Sequence, residues 1–209
     1  MRSPKDSPST RQAQKAETRA ALLAAARALF AERGYEATTL KAVAERAGVA
    51  VGTVFVHVPD KAMLLVEALH DDLARVLEAA RAAPPGAPRD RILHLARHLY
   101  TYYAEDPALS SVLVKESLMA SLPEGSHSDA VLRGFLVEVA GLLAAAGLVR
   151  PGVSVLDAAT TFFALYLMVL LQGLRQLPMD PEAMVARLDG LLQISFPQEP
   201  GGSPEVQRV

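Results

Sequence analysis

Two histidines of this sequence have a type and a spacing that could bind a metal ion. His94 and His98 stand four positions apart in a stretch that predicts a helix, so their imidazoles share one face at the spacing of metal ligands. Asp90 lies one turn earlier, and the sequence contains no cysteine to complete the set. The pair is therefore interpreted as ordinary helix residues, and no metal site is predicted.

Catalytic patterns are also missing from the sequence. No Ser-His-Asp arrangement, no paired carboxylates and no glycine-rich phosphate loop stand out among the 209 residues. The sequence therefore predicts neither catalytic residues nor a cofactor, and a protein that is not an enzyme. A small helical enzyme or binding protein remains the competing hypothesis.

Apolar residues recur at helical spacing along most of the chain, and proline- or glycine-rich segments separate the runs. No stretch alternates convincingly as a strand, although the β-branched residues of 49–58 imitate one. The pattern predicts an all-α protein. The predicted helices are 18–33, a short one from Thr38 or Thr39 to Ala47, 50–58, 61–82, 89–104, 107–121, 127–147, 153–177 and 181–195.

Three short helices near the N-terminus have the order and turn of a helix-turn-helix, which presents its last helix to the DNA major groove. Gly34 is placed to end the first helix and Gly48 to supply the left-handed backbone of the turn. Val54 and Val58, four residues apart, should face inward. The motif predicts binding of double-stranded DNA.

The stretch TRAALLAAARALFAERGYEATTLKAVAERAGV, residues 18–49, is followed by Gly52 to His57 and by Asp60-Lys61. These residues resemble the TetR family of transcriptional regulators. The resemblance implies a three-helix DNA-binding domain followed by a helical domain that binds an effector and dimerises. It also implies a homodimeric repressor, released from operator DNA by a small and largely apolar ligand. An activator, or a regulator without ligand control, would have the same fold.

The resemblance assigns DNA contacts to residues of this motif. A threonine at the start of the second helix would meet a phosphate, Lys41 a base edge or a phosphate, and Lys61 the backbone. The recognition helix would contact bases and phosphate, and the Gly52 backbone would allow close approach. The predicted contact residues are Thr38, Thr39, Lys41, Val51, Gly52, Thr53, Phe55, His57 and Lys61.

The recognition helix departs from the family pattern. A polar or basic residue is usual where Val51 stands, and aromatic hydroxyls are usual near Phe55 and Val56. Val51 can still contact a thymine methyl group. Alternatively, Phe55 and Val56 pack against the domain and leave specificity to Lys41 and Thr53. Fewer charged contacts also predict a shallow dependence of DNA affinity on salt.

The net charge of −2 conceals an asymmetry along the chain. Residues 1–61 carry ten Lys and Arg against six Asp and Glu, whereas the remainder is acidic. A basic N-terminal module suits a polyanion. Arg11, Lys15 and Arg19 are predicted to add attraction to flanking phosphates.

The resemblance places a ligand pocket after the DNA-binding domain and a homodimer interface on the last two helices, 153–177 and 181–195. Pockets of this kind are mostly apolar with a few orienting polar groups. For each single residue, a place in the plain core is the alternative. The candidate ligand-binding residues are Tyr100, Tyr103, Met119, Phe135, Phe162, Phe163, Tyr166 and Met168.

The longest uncharged stretch, 158–174, is shorter than the roughly 20 residues of a membrane span, so we predict a buried helix and no membrane contact. The N-terminus has no signal-peptide pattern, which predicts a cytoplasmic protein. The predicted organisation is a disordered basic arm (1–10), a DNA-binding domain (11–61), an effector and dimerisation domain (62–196) and a disordered tail (197–209). A linking helix (61–82) joins the two domains.

Overall fold

A computed structural model of the chain describes residues 8–119 and 124–197. Within these ranges all regular secondary structure is helical, which confirms the predicted fold class. The helices are α1 (Pro8–Ala37), α2 (Leu40–Ala47), α3 (Val51–His57), α4 (Lys61–Ala82), α5 (Pro88–Glu105), α6 (Pro107–Met119), α7 (His127–Ala145), α8 (Val155–Arg175) and α9 (Pro181–Ser195).

Helix α1 begins earlier than the sequence predicted. Apolar periodicity starts only at Leu22, whereas residues 11–21 are mostly strong helix formers without glycine or proline, and Pro8 suits a first turn. The predicted disordered arm is therefore wrong for residues 8–10, which are helical, and its remainder lies outside the described residues. Of the predicted tail, residues 198–209 also lie outside them.

Gly34 interrupts α1 near its end, as its predicted role as a helix stop requires. Its backbone angles are φ 76° and ψ 170°, a conformation that side chains with a Cβ rarely adopt. The helix before this kink buries Leu22, Ala26, Leu29 and Phe30 along one face. This face forms the core on which α2 and α3 are held.

By packing, the described chain divides into two compact units. The first contains the residues up to Asp72 together with those of 108–128, and the second contains 73–107 and the residues from Asp129 onward. Helix α4 belongs to both, since it starts in the first unit and ends in the second. The packing units thus differ from the domain boundary predicted near Lys61, which stays a prediction.

In the second unit, α5 and α8 pack against α9. Arg89 pairs with Asp189 at 2.6 Å and Arg97 with Glu182 at 2.7 Å, and both pairs join α5 to α9. Helix α8 approaches α9 closely at Gly173, where a Cβ would lie 2.7 Å from the Met184 sulfur. These contacts fix the second unit.

Helix α8 is long and apolar enough to cross a membrane by length and composition, a criterion that core helices also meet. One of its faces is buried in the second unit, including Phe162, Tyr166 and Leu170. The opposite face is exposed, including Leu156 and Met168. The predicted buried helix is thus buried along one side.

Candidate nucleic-acid interface

A tight turn joins α2 to α3. The Thr39 hydroxyl accepts a hydrogen bond from the Ala42 amide at 3.1 Å and so caps the start of α2. Gly48 ends α2 in the left-handed conformation (φ 70°, ψ 29°), and its amide donates to the carbonyls of Ala44 and Glu45. The turn predicted from Gly48 is confirmed, and α3 starts three residues later.

Helix α3 is held by few residues and exposes the others. Val54 and Val58 are buried, as predicted. Val51 is 39% exposed, Phe55 57% and Val56 70%. The alternative in which Phe55 and Val56 pack against the domain is therefore wrong, and α3 presents an apolar surface.

Thr38 has a structural role. Its side chain is buried, and its hydroxyl donates to the Gly34 carbonyl at 2.8 Å and lies 3.1 Å from the Leu29 carbonyl. The Thr38 amide donates to the carbonyl of Tyr35. Thr38 thus anchors the segment between α1 and α2 to carbonyls of α1, and its predicted contact with DNA stays a prediction. Exposed Thr39 remains a candidate.

Lys61 is engaged within the first unit. Its ammonium donates to the backbone carbonyls of Tyr35 at 3.0 Å and Glu36 at 3.4 Å, and it lies 4.2 Å from the centroid of the Tyr35 ring. A lysine that closes the last turn of a helix satisfies carbonyls that otherwise lack donors. The ammonium of Lys61 thus holds α4 to the end of α1. Its predicted contact with the DNA backbone stays a prediction.

Ion pairs neutralise part of the basic N-terminal charge. Arg19 binds Glu67 at 2.8 Å and Arg46 binds Glu32, while Arg27 reaches Asp71 at 2.7 Å and Asp72 at 3.5 Å. Glu32 is already counted in the charge balance of residues 1–61, so only the pairs of Arg19 and Arg27 with acidic residues of α4 lower the basic surplus. Arg19 is held against α4, so its predicted phosphate attraction is weaker than that of exposed Lys15.

His57, the last residue of α3, is half-buried. Burial lowers the pKa of its imidazole, and the positive charges of Lys15 and Arg19 lower it further. Its Nδ1 atom is buried without a hydrogen-bond partner. In the protein without DNA, this ring is therefore mostly neutral near pH 7.

Residues 22–68, which include α2 and α3, match a family model described as bacterial regulatory proteins, tetR family. Over the whole fold, the chain is similar to Thermus thermophilus FadR, a TetR-family transcriptional repressor solved in complex with lauroyl-CoA. The two share 25% identity, the match covers 89% of this chain and 98% of that one, and the TM-score is 0.69. The chain is thus similar to TetR-family regulators, with the family-model match confined to residues 22–68.

Two curated relatives carry the name HTH-type transcriptional repressor KstR. The protein from Rhodococcus jostii is 34% identical over 115 residues, which cover 55% of this chain and 54% of the relative. That from Mycobacterium tuberculosis is 34% identical over 117 residues, covering 55% and 53%. The chain thus spans about half the length of the curated relatives it matches.

Six of the eight candidate ligand-binding residues lie in the second unit as one aromatic cluster. The Tyr100 and Tyr166 rings stack with centroids 4.9 Å apart, and the Tyr100 hydroxyl donates to the Tyr166 carbonyl at 3.0 Å. Phe135 packs against Phe162 and Tyr166, and Phe163 stacks on Tyr166. Tyr103 is buried in the same unit.

The phenols of this cluster are held in the neutral form. Burial raises the pKa of Tyr103 to about 12, and it raises the pKa of Tyr100 and Tyr166 as well. The Tyr166 hydroxyl is buried and interacts with the hydroxyl of Tyr103. The two phenols therefore form one polar spot inside the apolar cluster.

The other two candidate ligand residues do not join this cluster. Met119 ends α6 in the first unit, and Met168 lies on the exposed side of α8. Both side chains are exposed, that of Met119 at 80% and that of Met168 at 52%. Helical spacing does separate Met168 from Tyr166, because two residues turn a helix by about 200° and place Met168 on the opposite side of α8.

His94 and His98 are bound to backbone groups. The His98 Nδ1 lies 3.0 Å from the His94 carbonyl, and the His94 Nε2 lies 3.2 Å from the Ala80 carbonyl. Among the described residues, no group of three His, Cys, Asp or Glu is placed to hold a metal ion. The histidines serve as helix-packing residues in α5.

Proposed function

We propose that this chain is a DNA-binding transcriptional repressor whose homodimer reads operator DNA and is released by an apolar effector. The observation that carries the proposal is the α2–α3 pair, with Val54 and Val58 inside, the other residues of α3 partly or largely exposed, and a TetR-family match over the same residues. Because operator DNA lies in the bacterial cytoplasm, that is the proposed location.

The DNA-facing residues of this proposal come from the ends of two helices. Thr39 and Lys41 lie at the start of α2, and both are exposed. Thr53 in α3 is partly exposed. In a helix-turn-helix, α3 enters the major groove while α2 crosses the backbone, so Thr39 and Lys41 would meet phosphate and Thr53 a base edge.

Replacing Lys41 by alanine should weaken binding to operator DNA about tenfold, the effect of losing one specific contact. If the partner of Lys41 is a phosphate, the slope of log affinity against log salt should also fall by about 0.9. The measurement is fluorescence anisotropy with labelled DNA from upstream of the gene, at several salt concentrations.

Lys115→Ala is the matched control. The side chains of Lys41 and Lys115 are 76% and 77% exposed, and each lies near one glutamate. Equal losses in the two variants would contradict the assignment of Lys41. If the unmodified protein bound this DNA no better than competitor DNA at low salt, the repressor proposal itself would fail.

The aromatic cluster supports an apolar effector. It offers stacked rings and the neutral hydroxyls of Tyr103 and Tyr166, which suit a mostly hydrocarbon molecule with a polar end. The FadR of Thermus thermophilus was solved with lauroyl-CoA, so a long-chain acyl thioester is the first compound to test. Effector and DNA must weaken each other's binding by the same factor.

Exposed apolar residues on the last two helices support a homodimer. Two recognition helices must reach successive major grooves about 34–36 Å apart, which one chain cannot do alone. Exposed apolar side chains are concentrated on and beside α8 and α9, as a partner surface requires. They are Val153, Val155, Leu156, Met168, Leu177 and Ile194.

Met168→Glu should convert the dimer to monomers, because it places a charge on each side of the proposed interface. The check is sedimentation velocity at micromolar protein concentration. Val137→Glu, at an exposed valine of α7, is the control and should leave the dimer intact. A Met168→Glu protein that sedimented as a dimer would contradict the proposed interface.

A further inference from the structure

The outer side of α3 has an unusual chemistry for a surface that meets DNA. No Lys, Arg, Asp or Glu occurs in this helix. Its hydrogen-bonding side chains are Thr53 and His57, and both are half-buried. Its most exposed side chains are Phe55 and Val56.

The helical period places Val56 on the outer side of α3, the side that would enter the DNA major groove. Each residue advances about 100° around the axis, so Val56 lies about 200° from Val54, the buried anchor of α3. Gly52 is one turn before Val56 on the same side, where no other group lies within 4 Å of its would-be Cβ. A valine beside a glycine lets the helix come close to a flat surface.

Val51 and Phe55 form a second apolar pair, four residues apart on the flank of the same helix. Both are exposed, so the folded first unit leaves them uncovered. By the same helical period Phe55 lies about 100° and Val51 about 60° from Val54, so this pair flanks the outward-facing Val56.

Only one group on the floor of the major groove is apolar, and that is the C5-methyl group of thymine. Guanine, cytosine and adenine offer polar donors and acceptors there, which Val51, Phe55 and Val56 cannot satisfy. We propose that α3 selects its operator through thymine methyl groups, contacted by Val56 and by the Val51–Phe55 pair. This inference rests on the proposed DNA-binding function and names the bases it reads.

Val56 is the new residue in this assignment, since the sequence predicted Val51 and Phe55 as contacts and left Val56 out. Burial of one methyl group against an apolar side chain changes affinity about fourfold. Two or three thymines read in each half-site would then change the affinity of one half-site roughly 15- to 60-fold.

The test replaces thymine by deoxyuridine, which keeps every hydrogen-bonding group of the base and removes the methyl. A duplex is first selected from a random 30-base-pair pool by repeated capture on the purified protein. Anisotropy titrations then compare this duplex with copies that carry deoxyuridine at single thymines. The expected result is a loss of about fourfold at two or more positions of each half-site.

Protein variants separate a direct contact from a change in DNA shape. In Val56→Ala, the difference between the thymine and deoxyuridine duplexes should shrink at one defined position. Val137→Ala, at an exposed valine outside the first unit, should keep the full difference.

Equal affinity for the thymine and deoxyuridine duplexes would overturn this inference while leaving the repressor proposal intact. A methyl effect that persisted unchanged in both Val56→Ala and Phe55→Ala would overturn it as well. If the unmodified protein enriched no duplex from the pool, the DNA-binding proposal would fall first.

Discussion

Replacing Phe162 by alanine is expected to lower the free energy of unfolding by about 3–5 kcal/mol. Phe162 is fully buried on α8 and forms a triangle of rings with Phe135 and Tyr166, whose centroids each lie 6.3 Å from that of Phe162. Its removal takes away apolar contacts with both rings and leaves a cavity that rigid helices close only in part. Urea unfolding at neutral pH measures the loss.

Phe163→Ala is the matched control, since Phe163 is the next residue of the same helix and is only half-buried. Its loss should be clearly smaller, because a partly exposed ring has less buried surface to lose. Similar losses in the two variants would contradict the view of Phe162 as the centre of the cluster. Phe162→Leu refills part of the volume and should recover much of the stability.

The same variants decide between a packed core and a ligand site. Bound lauroyl-CoA should raise the melting temperature of the unmodified protein, because a ligand that binds only the folded state stabilises it. If the cluster lines the ligand site, the rise in melting temperature on adding lauroyl-CoA should be smaller for Phe162→Ala than for the unmodified protein. Each rise is measured from the melting temperature of the same protein without ligand. A rise that Phe162→Ala left unchanged would show a core cluster, and no rise at all would exclude lauroyl-CoA as effector.

Local sequence signals predicted most of the fold. The bounds of α4 and α9 agree with the predicted 61–82 and 181–195, because Asp60 and Asp180 cap helices whose apolar spacing follows at once. The start of α1 was missed, since its first residues are polar and helical propensity there carries no periodic signal. Periodicity detects a buried face and leaves an exposed helical extension undetected.

The site was harder to predict, because its details depend on distant residues. Thr38 and Thr39 are neighbours of the same type, and only the kink at Gly34 decides that Thr38 is buried while Thr39 caps α2. Lys61 binds a carbonyl 26 residues earlier in the chain. Arg19 pairs with Glu67, which lies 48 residues later in the chain, and local sequence spacing cannot predict such a pair.

Acidification is expected to destabilise the protein through His70. This residue of α4 is buried in the first unit, where its Nε2 lies 3.3 Å from the Ser117 hydroxyl of α6 and its Nδ1 has no partner. Burial lowers the pKa of His70 to about 4, and the positive charge of His127 contributes. The folded protein therefore keeps this imidazole neutral at pH values where a free histidine is charged.

The sign of the effect follows from proton binding. Between pH 6.5 and pH 4 the unfolded chain takes up a proton at residue 70 that the folded protein rejects, so acid favours unfolding. The contribution of His70 is fully present above pH 6.5 and falls by about 2 kcal/mol at pH 5 and about 3 kcal/mol at pH 4. Urea unfolding at pH 7.5, 6, 5 and 4.5 measures the free energy at each point.

Comparison with His70→Gln isolates this residue from the carboxylates that also titrate in acid. Glutamine keeps a group that can bond to the Ser117 hydroxyl and does not titrate, so the variant should be less sensitive to acid by the same 2 kcal/mol or so at pH 5. His98→Gln, in α5 of the second unit, serves as the control for loss of a histidine. If His70→Gln and the unmodified protein lost stability in parallel between pH 7.5 and pH 5, the buried neutral state of His70 would be contradicted. If the acid-induced loss of stability is reduced in His70→Gln and unchanged in His98→Gln, the contact of α4 with α6 requires an uncharged imidazole at residue 70.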